Sequence, residues 1–348
     1  MDSTDSDWMR LAIREARKGI GLTSPNPPVG CVIAGRGGLL GKGWHRKAGG
    51  AHAEIEALAD VERRHGSASG KLLRAATVFV TLEPCSTAGK TPPCTEALFA
   101  ADPRRVVMAV ADPNPRHGGR AGRLLERRGI EVLLGVCAEE AEALIRPFAK
   151  RITTGVPYVI AKAAMSLDGK MSRPKGESPW LTSEAARADA QKLRRRCDAI
   201  LVGAETVRAD DPRLTVRGPS ARGGKEQPYR VVMTRSGNLP PTAAIFTDEH
   251  RERTLVVRNQ SIRQVLKRLG TLGVNTVLIE GGGTILAQAF SHGLVDEVCF
   301  YLAPLISGSG RPVVDPGFFR GSSAGVANLE IRRVGPDIRI SGTLGARS

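Results

Sequence analysis

Ala51-His52-Ala53-Glu54, followed about thirty residues later by Leu82-Glu83-Pro84-Cys85 and a run that continues to Cys94, is the stretch on which the first half of this chain turns. It offers one imidazole, two thiols and a carboxylate beside them. Structural zinc sites are closed by four protein ligands, whereas catalytic ones supply three and keep the fourth position for water. His52, Cys85 and Cys94 make three, and Glu54, two residues after His52 at a helix start, can lie beside the open position and move protons. Eight residues separate Cys85 from Cys94 in place of the usual two. The same residues also read as a closed structural site with His45 or His117 as fourth ligand, but Glu54 has no purpose in such a site.

Outward from this stretch the pattern is alternating α/β. A helix capped by Asp7 leads to a hairpin formed by Val29 to Ala34 and Leu39 to Trp44. Ala53 to Arg64 has helical spacing, and Thr77 to Leu82 is a buried-type strand that feeds Pro84-Cys85. A helix opening near Cys85 would place that thiol at a helix N-terminus, where free amides and the dipole favour thiolate. The helix Cys94 to Ala101, the strand Arg105 to Val110, the loop Asp112-Pro113-Asn114-Pro115, the helix Ala121 to Arg128, the strand Glu131 to Gly135 and the helix Ala138 to Arg151 complete the layer. H-x-E followed by P-C is the arrangement of zinc deaminases, where hydroxide attacks an amidine-like ring carbon and the glutamate serves as acid and base.

The second half restarts with the strand Tyr158 to Ala164, a helix Glu184 to Arg195 that Ser183 can cap, and the buried strand Ala199 to Gly203. Strands Arg230 to Met233 and Thr254 to Val257 and a helix Ser261 to Leu269 follow. Thr276 to Glu280 then meets Gly281-Gly282-Gly283 and a helix Thr284 to His292, and Asp296 to Leu302 reads as the closing core strand. Strand, three glycines and helix make a phosphate cradle, and read equally as close packing of a helix on a strand. The pattern is neither the G-x-G-x-x-G of dinucleotide folds nor a P-loop. Asp168 in Ser166-Leu167-Asp168-Gly169-Lys170 reads as a turn residue or as a catalyst, and Asp210-Asp211-Pro212 reads first as a turn.

At 348 residues the chain has the length of two domains. No apolar run follows Met1 to Asp7, so the sequence predicts neither a signal peptide nor a membrane span. Six scattered cysteines read as reduced thiols of a cytoplasmic protein, two on metal and Cys31, Cys137, Cys197 and Cys299 in the core. The net charge of +16 raises nucleic acid as a partner. Aromatics are only 4% and the basic residues are spread, without the aromatic-basic interleaving that stacks single strands. A phosphorylated small molecule draws on the same field, and a nucleic-acid (RNA) deaminase with a basic RNA-binding C-terminal domain remains the alternative reading.

With the zinc constellation, the TPPC ending at Cys94, the loop at Asp112 and the strings SLDGK, WLTSEAAR, TVRADDPRLTVR, EGGG and GLVDE in one order, the chain resembles the bifunctional deaminase-reductase family of riboflavin biosynthesis over nearly its whole length. The resemblance implies an N-terminal cytidine-deaminase-like three-layer domain over residues 1–148 and a dihydrofolate-reductase-like domain over residues 149–348. The first would deaminate 2,5-diamino-6-(5-phosphoribosylamino)pyrimidin-4-one with zinc, and the second would reduce the ribosyl group to ribityl with NADPH. Carried over by position, zinc falls on His52, Cys85 and Cys94 and proton transfer on Glu54. Deaminase substrate contacts fall on Asn26, His45, Lys90 and Asn114. Cofactor contacts fall on Ala164, Trp180, Thr206, Asp210, Gly282, Gly283 and Thr284, and reductase substrate contacts on Ser178, Arg194, Leu214, Arg217 and Glu280. A homo-oligomer, dimer or tetramer, is also implied. Two departures stand out: Thr87 occupies the place of a common His, so that His45 or His117 would have to compensate, and Thr234-Arg235 replaces a usual Asp-Ser. Arg235 reads either as a contact to the cofactor 2′-phosphate or as surface.

Overall fold

The computed structural model describes residues 4–88, 92–115, 117–174, 176–178, 180–221 and 225–345. The chain divides into two compact units, Met1–Thr154 and Gly155–Ser348. No helix among the described residues is long and apolar enough to cross a membrane.

In the first unit, α1 (Asp5–Arg17) is followed by the hairpin β1 (Gly30–Gly35) and β2 (Gly38–Trp44), then α2 (Ala53–His65), α3 (Ser69–Arg74) and β3 (Thr77–Val80). The chain continues through α4 (Cys94–Ala101), β4 (Arg105–Met108), α5 (Arg120–Arg127), β5 (Glu131–Leu134) and α6 (Ala138–Thr154). The sheet order is β2-β1-β3-β4-β5, with β1 antiparallel to both neighbours and β3, β4 and β5 parallel. Because side chains alternate along a strand, Cys31 and Ile33 join α2, α4 and α5 on one face, while Val32 and Ala34 join α1 and α6 on the other. The result is three layers. Asp7 is not the first cap: Thr4 takes that place and Asp7 closes a capping box with it from the third helical position. Cys137, expected in the core, is only half-buried.

The position of α2 depends on β2 having no side chain at one point. A Cβ on Gly43 would lie 2.5 Å from the backbone nitrogen of Ala57 and 2.6 Å from the carbonyl oxygen of Ala53. Helix and strand therefore touch backbone to backbone, and this contact sets where the first turn of α2, and His52 with it, arrives.

The second unit comprises β6 (Tyr158–Met165), α7 (Glu184–Arg196), β7 (Ala199–Gly203), α8 (Ala204–Asp210), β8 (Tyr229–Thr234), α9 (Ala244–Thr247), β9 (Thr254–Arg258), α10 (Ile262–Thr271), β10 (Thr276–Glu280), α11 (Gly283–Ser291), β11 (Glu297–Leu302), β12 (Val326–Val334) and β13 (Asp337–Leu344). The eight strands run in the order β12-β13-β11-β6-β10-β7-β8-β9. From β11 to β9 they are parallel, and β13 and β12 are added antiparallel. β11 is therefore not the closing strand, because β12 forms the edge. Both faces are covered, one by α10 and α11 and the other by α7, α8 and α9. This cover explains the near-continuous apolar runs of the central strands. Ser183 caps α7 as its sequence position predicts, accepting from the Ala186 amide.

Candidate functional site

Three segments of the first unit deliver His52, Cys85 and Cys94 to one point. His52 is the residue on which α2 begins, and Cys94 is the first residue of α4. The helix does not open at Cys85. Gly89, Pro92 and Pro93 lie between the two cysteines, and Cys85 sits on the loop after β3. The amides at the start of α4 nevertheless reach it: Cys94 N–H donates to Cys85 Sγ at 3.2 Å and Thr95 N–H to the Cys85 carbonyl at 3.2 Å.

His52 Nδ1 lies 3.2 Å from Cys94 Sγ and 3.4 Å from Cys85 Sγ, and the three ligand atoms all fall within 4.8 Å of one another. A tetrahedron with Zn–N near 2.0 Å and Zn–S near 2.3 Å has edges of roughly 3.6 Å, so the donor set fits zinc. Hydrogen bonding from Cys94 and His52 outweighs burial and holds the Cys85 thiol down to about 4, in the thiolate form that a metal takes. Glu54, only 3% exposed, reaches the Cys94 side chain, and burial raises its pKa.

His45 cannot serve as a fourth ligand. Its Nδ1 donates to the Ala51 carbonyl at 2.9 Å, so Nε2 is the acceptor and takes the Asn26 amide N–H at 3.0 Å. Burial lowers its pKa and keeps the ring neutral. It stands edge-on to the His52 ring, centroids 5.2 Å apart, and fixes the residue before His52. With both nitrogens committed it does not compensate for Thr87, which is half-buried on the Cys85 loop. Among the described residues the metal-type group has these three members. Lys90 lies outside the described residues.

Asn114 reaches this region through a residue whose role the sequence did not disclose. The Glu83 carboxylate, 5% exposed, accepts from the amides of Asp112 at 3.1 Å, Gly119 at 2.7 Å and Ala121 at 2.8 Å. Asp112 in turn accepts from Asn114 N–H at 2.8 Å. The loop bearing Asn114 is thus wound onto a side chain two positions before Cys85. An acid inside an apolar run was the available signal, since a buried charge requires partners. Replacing Glu83 with Gln turns one acceptor oxygen into a donor that faces N–H groups. The first unit should lose about 1–3 kcal/mol in urea unfolding, with zinc content near one per chain. Unchanged unfolding would remove Glu83 from this role.

The second unit contains a cavity of 1640 Å³ at the carboxyl ends of its parallel strands, larger than the roughly 300–1,000 Å³ that one small ligand occupies. Ala164, Trp180, Thr206, Asp210, Gly282, Gly283 and Thr284 line it, as do Ser178, Arg194, Leu214, Arg217 and Glu280. Gly281 and Gly282 have φ of 93° and 82°, and a Cβ on either would come within 3.8 Å of Thr206 Oγ1. The contact itself is ordinary, and it is the positive φ, which L side chains rarely adopt, that calls for glycine at both positions. Gly283 meets the packing requirement, because a Cβ there would lie 2.6 Å from the Pro312 carbonyl oxygen. The packing reading of the glycine turn thus falls on Gly283, and Gly281 and Gly282 line the cavity.

Arg194 and Glu280 are first of all partners of one another. Nε to Oε1 is 2.6 Å and Nη2 to Oε2 is 2.8 Å, and Nη1 donates to the Thr215 carbonyl at 2.9 Å. Burial pushes the Glu280 carboxyl up, but Arg194, with help from Lys162 and Arg217, holds it at about 2. Lys162, opposite Glu280 in the ladder and also lining the cavity, was missed by sequence reasoning. The segment that carries Leu214 and Arg217 is held by side chains in place of strand partners. Arg230, fully buried, donates to the Arg213 carbonyl at 3.1 Å, Gln227 clasps both the N–H and the carbonyl of Val216, and Gln191 accepts from Arg217 N–H. Leu214, at φ 51°, is held in this uncommon conformation between those anchors. Arg217 has no side-chain hydrogen bond or ion pair among the described residues. Asp168 accepts from the amides of Ser307 and Gly308 and from Ser166, which makes it a loop anchor.

Two family models match this chain: the cytidine and deoxycytidylate deaminase zinc-binding region over residues 2–110 and the RibD C-terminal domain over residues 157–340. The chain is 39% identical to the riboflavin biosynthesis protein RibD of Bacillus amyloliquefaciens, covering 96% of this chain and 95% of that protein. Against the Mycobacterium tuberculosis (strain ATCC 25618 / H37Rv) protein of the same name it is 40% identical, again over 96% and 95%. Among solved structures, Acinetobacter baumannii RibD superposes with a TM-score of 0.88 at 36% identity, over 98% of this chain and 99% of that one. The Thermotoga maritima diaminohydroxyphosphoribosylaminopyrimidine deaminase/5-amino-6-(5-phosphoribosylamino)uracil reductase gives 0.86 at 31%, with the same coverage. The match of the second unit to a reductase domain leaves no support for an RNA-binding appendage there.

Proposed function

The chain belongs to the RibD family of deaminase/reductases of riboflavin biosynthesis, and from that premise we propose which substrate and cofactor its two sites take. The first unit deaminates 2,5-diamino-6-(5-phosphoribosylamino)pyrimidin-4-one. The second reduces the ribosyl group of the deaminated product to ribityl with NADPH.

The observation that carries the reading is the three-ligand cluster with a buried carboxyl beside it. Zinc held by His52, Cys85 and Cys94 supplies Lewis acidity at neutral pH. Glu54 takes a proton from the attacking water and gives it to the exocyclic nitrogen, so that water adds at the ring carbon and ammonia leaves. To the pyrimidine we assign Asn26, whose side chain His45 holds, and Asn114, whose backbone is anchored to the loop that Glu83 gathers.

In the second unit the Gly281–Gly283 turn holds the cofactor pyrophosphate. Arg217 meets the substrate phosphate, and the Arg194–Glu280 pair fixes the wall between them. NADPH supplies the hydride. Lys162, the one lysine that lines this cavity among the described residues, serves as the proton source.

Ammonia and NADPH followed in parallel test the proposal. Zinc-loaded protein given the diaminopyrimidine ribotide should release one ammonia and oxidise one NADPH per turnover. Removing zinc with a chelator should stop ammonia release while reduction of the supplied deaminated intermediate continues. Neither ammonia nor NADPH oxidation from the loaded enzyme would refute the assignment.

A further inference from the structure

The cavity of the second unit extends past the glycine turn, and its far end is basic. β10, β7 and β8 end side by side, so the wall passes from Gly281–Gly283 across Thr206 to Arg235, the residue directly after β8. Arg235 lines the cavity with its guanidinium 5.9 Å from the ring centroid of Phe318, which lines it too. Ser236, Asn259 and Gln260 complete this end. Arg258, at the end of β9 and paired in register with Thr234, lies along the same turn, where a Cβ on Gly237 would fall 2.3 Å from its Nε. Among the described residues neither arginine has a carboxylate partner. Two guanidiniums thus flank one turn at a cavity wall with their charge uncompensated.

Distance decides what this charge can meet. Adjacent strands lie about 4.8 Å apart, so the end of β8 is roughly 10 Å from the glycine turn on β10. That is the scale of the path from a 5′-pyrophosphate across a ribose to a substituent on its 2′-oxygen. A ligand reaching Arg235 from the turn presents a phosphomonoester there if it is NADPH and a bare hydroxyl if it is NADH. A guanidinium fork binds the former as a charge-assisted, bidentate contact and gains little from the latter.

Resting on the reading that the glycine turn holds the cofactor pyrophosphate, we propose that Arg235 binds the adenosine 2′-phosphate and is the residue by which this reductase selects NADPH over NADH. Arg258 adds potential to the same end. The cation–π contact with Phe318, at 5.9 Å, places the Arg235 guanidinium beside another residue of the cavity wall.

Calorimetric titration of the full chain with 2′,5′-ADP and with 5′-ADP tests this without any turnover. The wild type should prefer 2′,5′-ADP by about 10- to 100-fold, less at high salt. Arg235→Ala should reduce that preference to about threefold or below while leaving 5′-ADP affinity unchanged. The unchanged 5′-ADP affinity of the variant shows that its second unit is folded, and unchanged ammonia release shows the same of the first. A variant that keeps the wild-type preference overturns the proposal and makes Arg235 a surface arginine packed on Phe318. If the wild type binds both nucleotides equally, the glycine-turn reading stands and the proposal falls. If it binds neither, both fall together.

Discussion

Glu54→Gln lowers ammonia release by about 10²- to 10⁴-fold or more and leaves NADPH-dependent reduction of the deaminated intermediate at the wild-type rate. The amide keeps the shape of the carboxyl, so the three ligands and the zinc content are preserved, and what disappears is the group that accepts a proton from water and returns it to the leaving amine. The position is buried beside Cys94, and bulk water has poor access to replace that group. Zinc measured by mass spectrometry separates this effect from metal loss, for which Cys94→Ser is the positive control. If both activities fell together in Glu54→Gln, the assignment of the two reactions to separate sites would be wrong.

Glu280→Gln destabilises the second unit by about 3–5 kcal/mol, because it leaves the Arg194 guanidinium buried without its counter-charge. Reduction falls by about 10- to 100-fold as the wall between cofactor and substrate loosens. Arg194→Met combined with Glu280→Leu separates the two effects. Replacing a buried ion pair with apolar residues of similar volume is often neutral, so the double variant should recover most of the stability and none of the reduction. A double variant that reduces normally would show that the pair serves folding alone.

The pair also sets an acid limit. The Glu280 carboxyl is held at about 2 against an ordinary value of 4.5, so the folded state binds the proton more weakly than the unfolded chain does. Its stabilisation is fully present above about pH 4.5 and is lost as pH falls toward about 2. Acid unfolding of the wild type should steepen in that window, and the double variant should lack this component.

Much of the first site was legible because metal chemistry depends on residue type and short offsets. His52 and Glu54 are two positions apart, and one cysteine lies on the loop that follows a strand while the other begins a helix. The expected helix start at Cys85 was displaced to Cys94 because Pro92 and Pro93, so close to the second cysteine, postpone the first turn. β12 was not legible for a different reason. Its residues are almost all exposed, so neither face imposes the alternation that marks a half-buried strand.

By itself the sequence determined the zinc ligands and the glycine turn after a buried strand, since each is written in neighbouring residues whose local geometry follows from residue type, and it placed Glu54 beside them as the candidate proton carrier; the two-reaction plan followed from the family resemblance of the whole chain. Only the tertiary structure decided that Arg194 and Glu280, 86 positions apart, hold one another. It alone showed His45 committed to Asn26 and Ala51, and Glu83 gathering the amides of a loop 29 to 38 positions away. The physical reason is register: a buried polar group must find a partner, and which partner it finds depends on how strands align and where helices cross them, which no short stretch of sequence records.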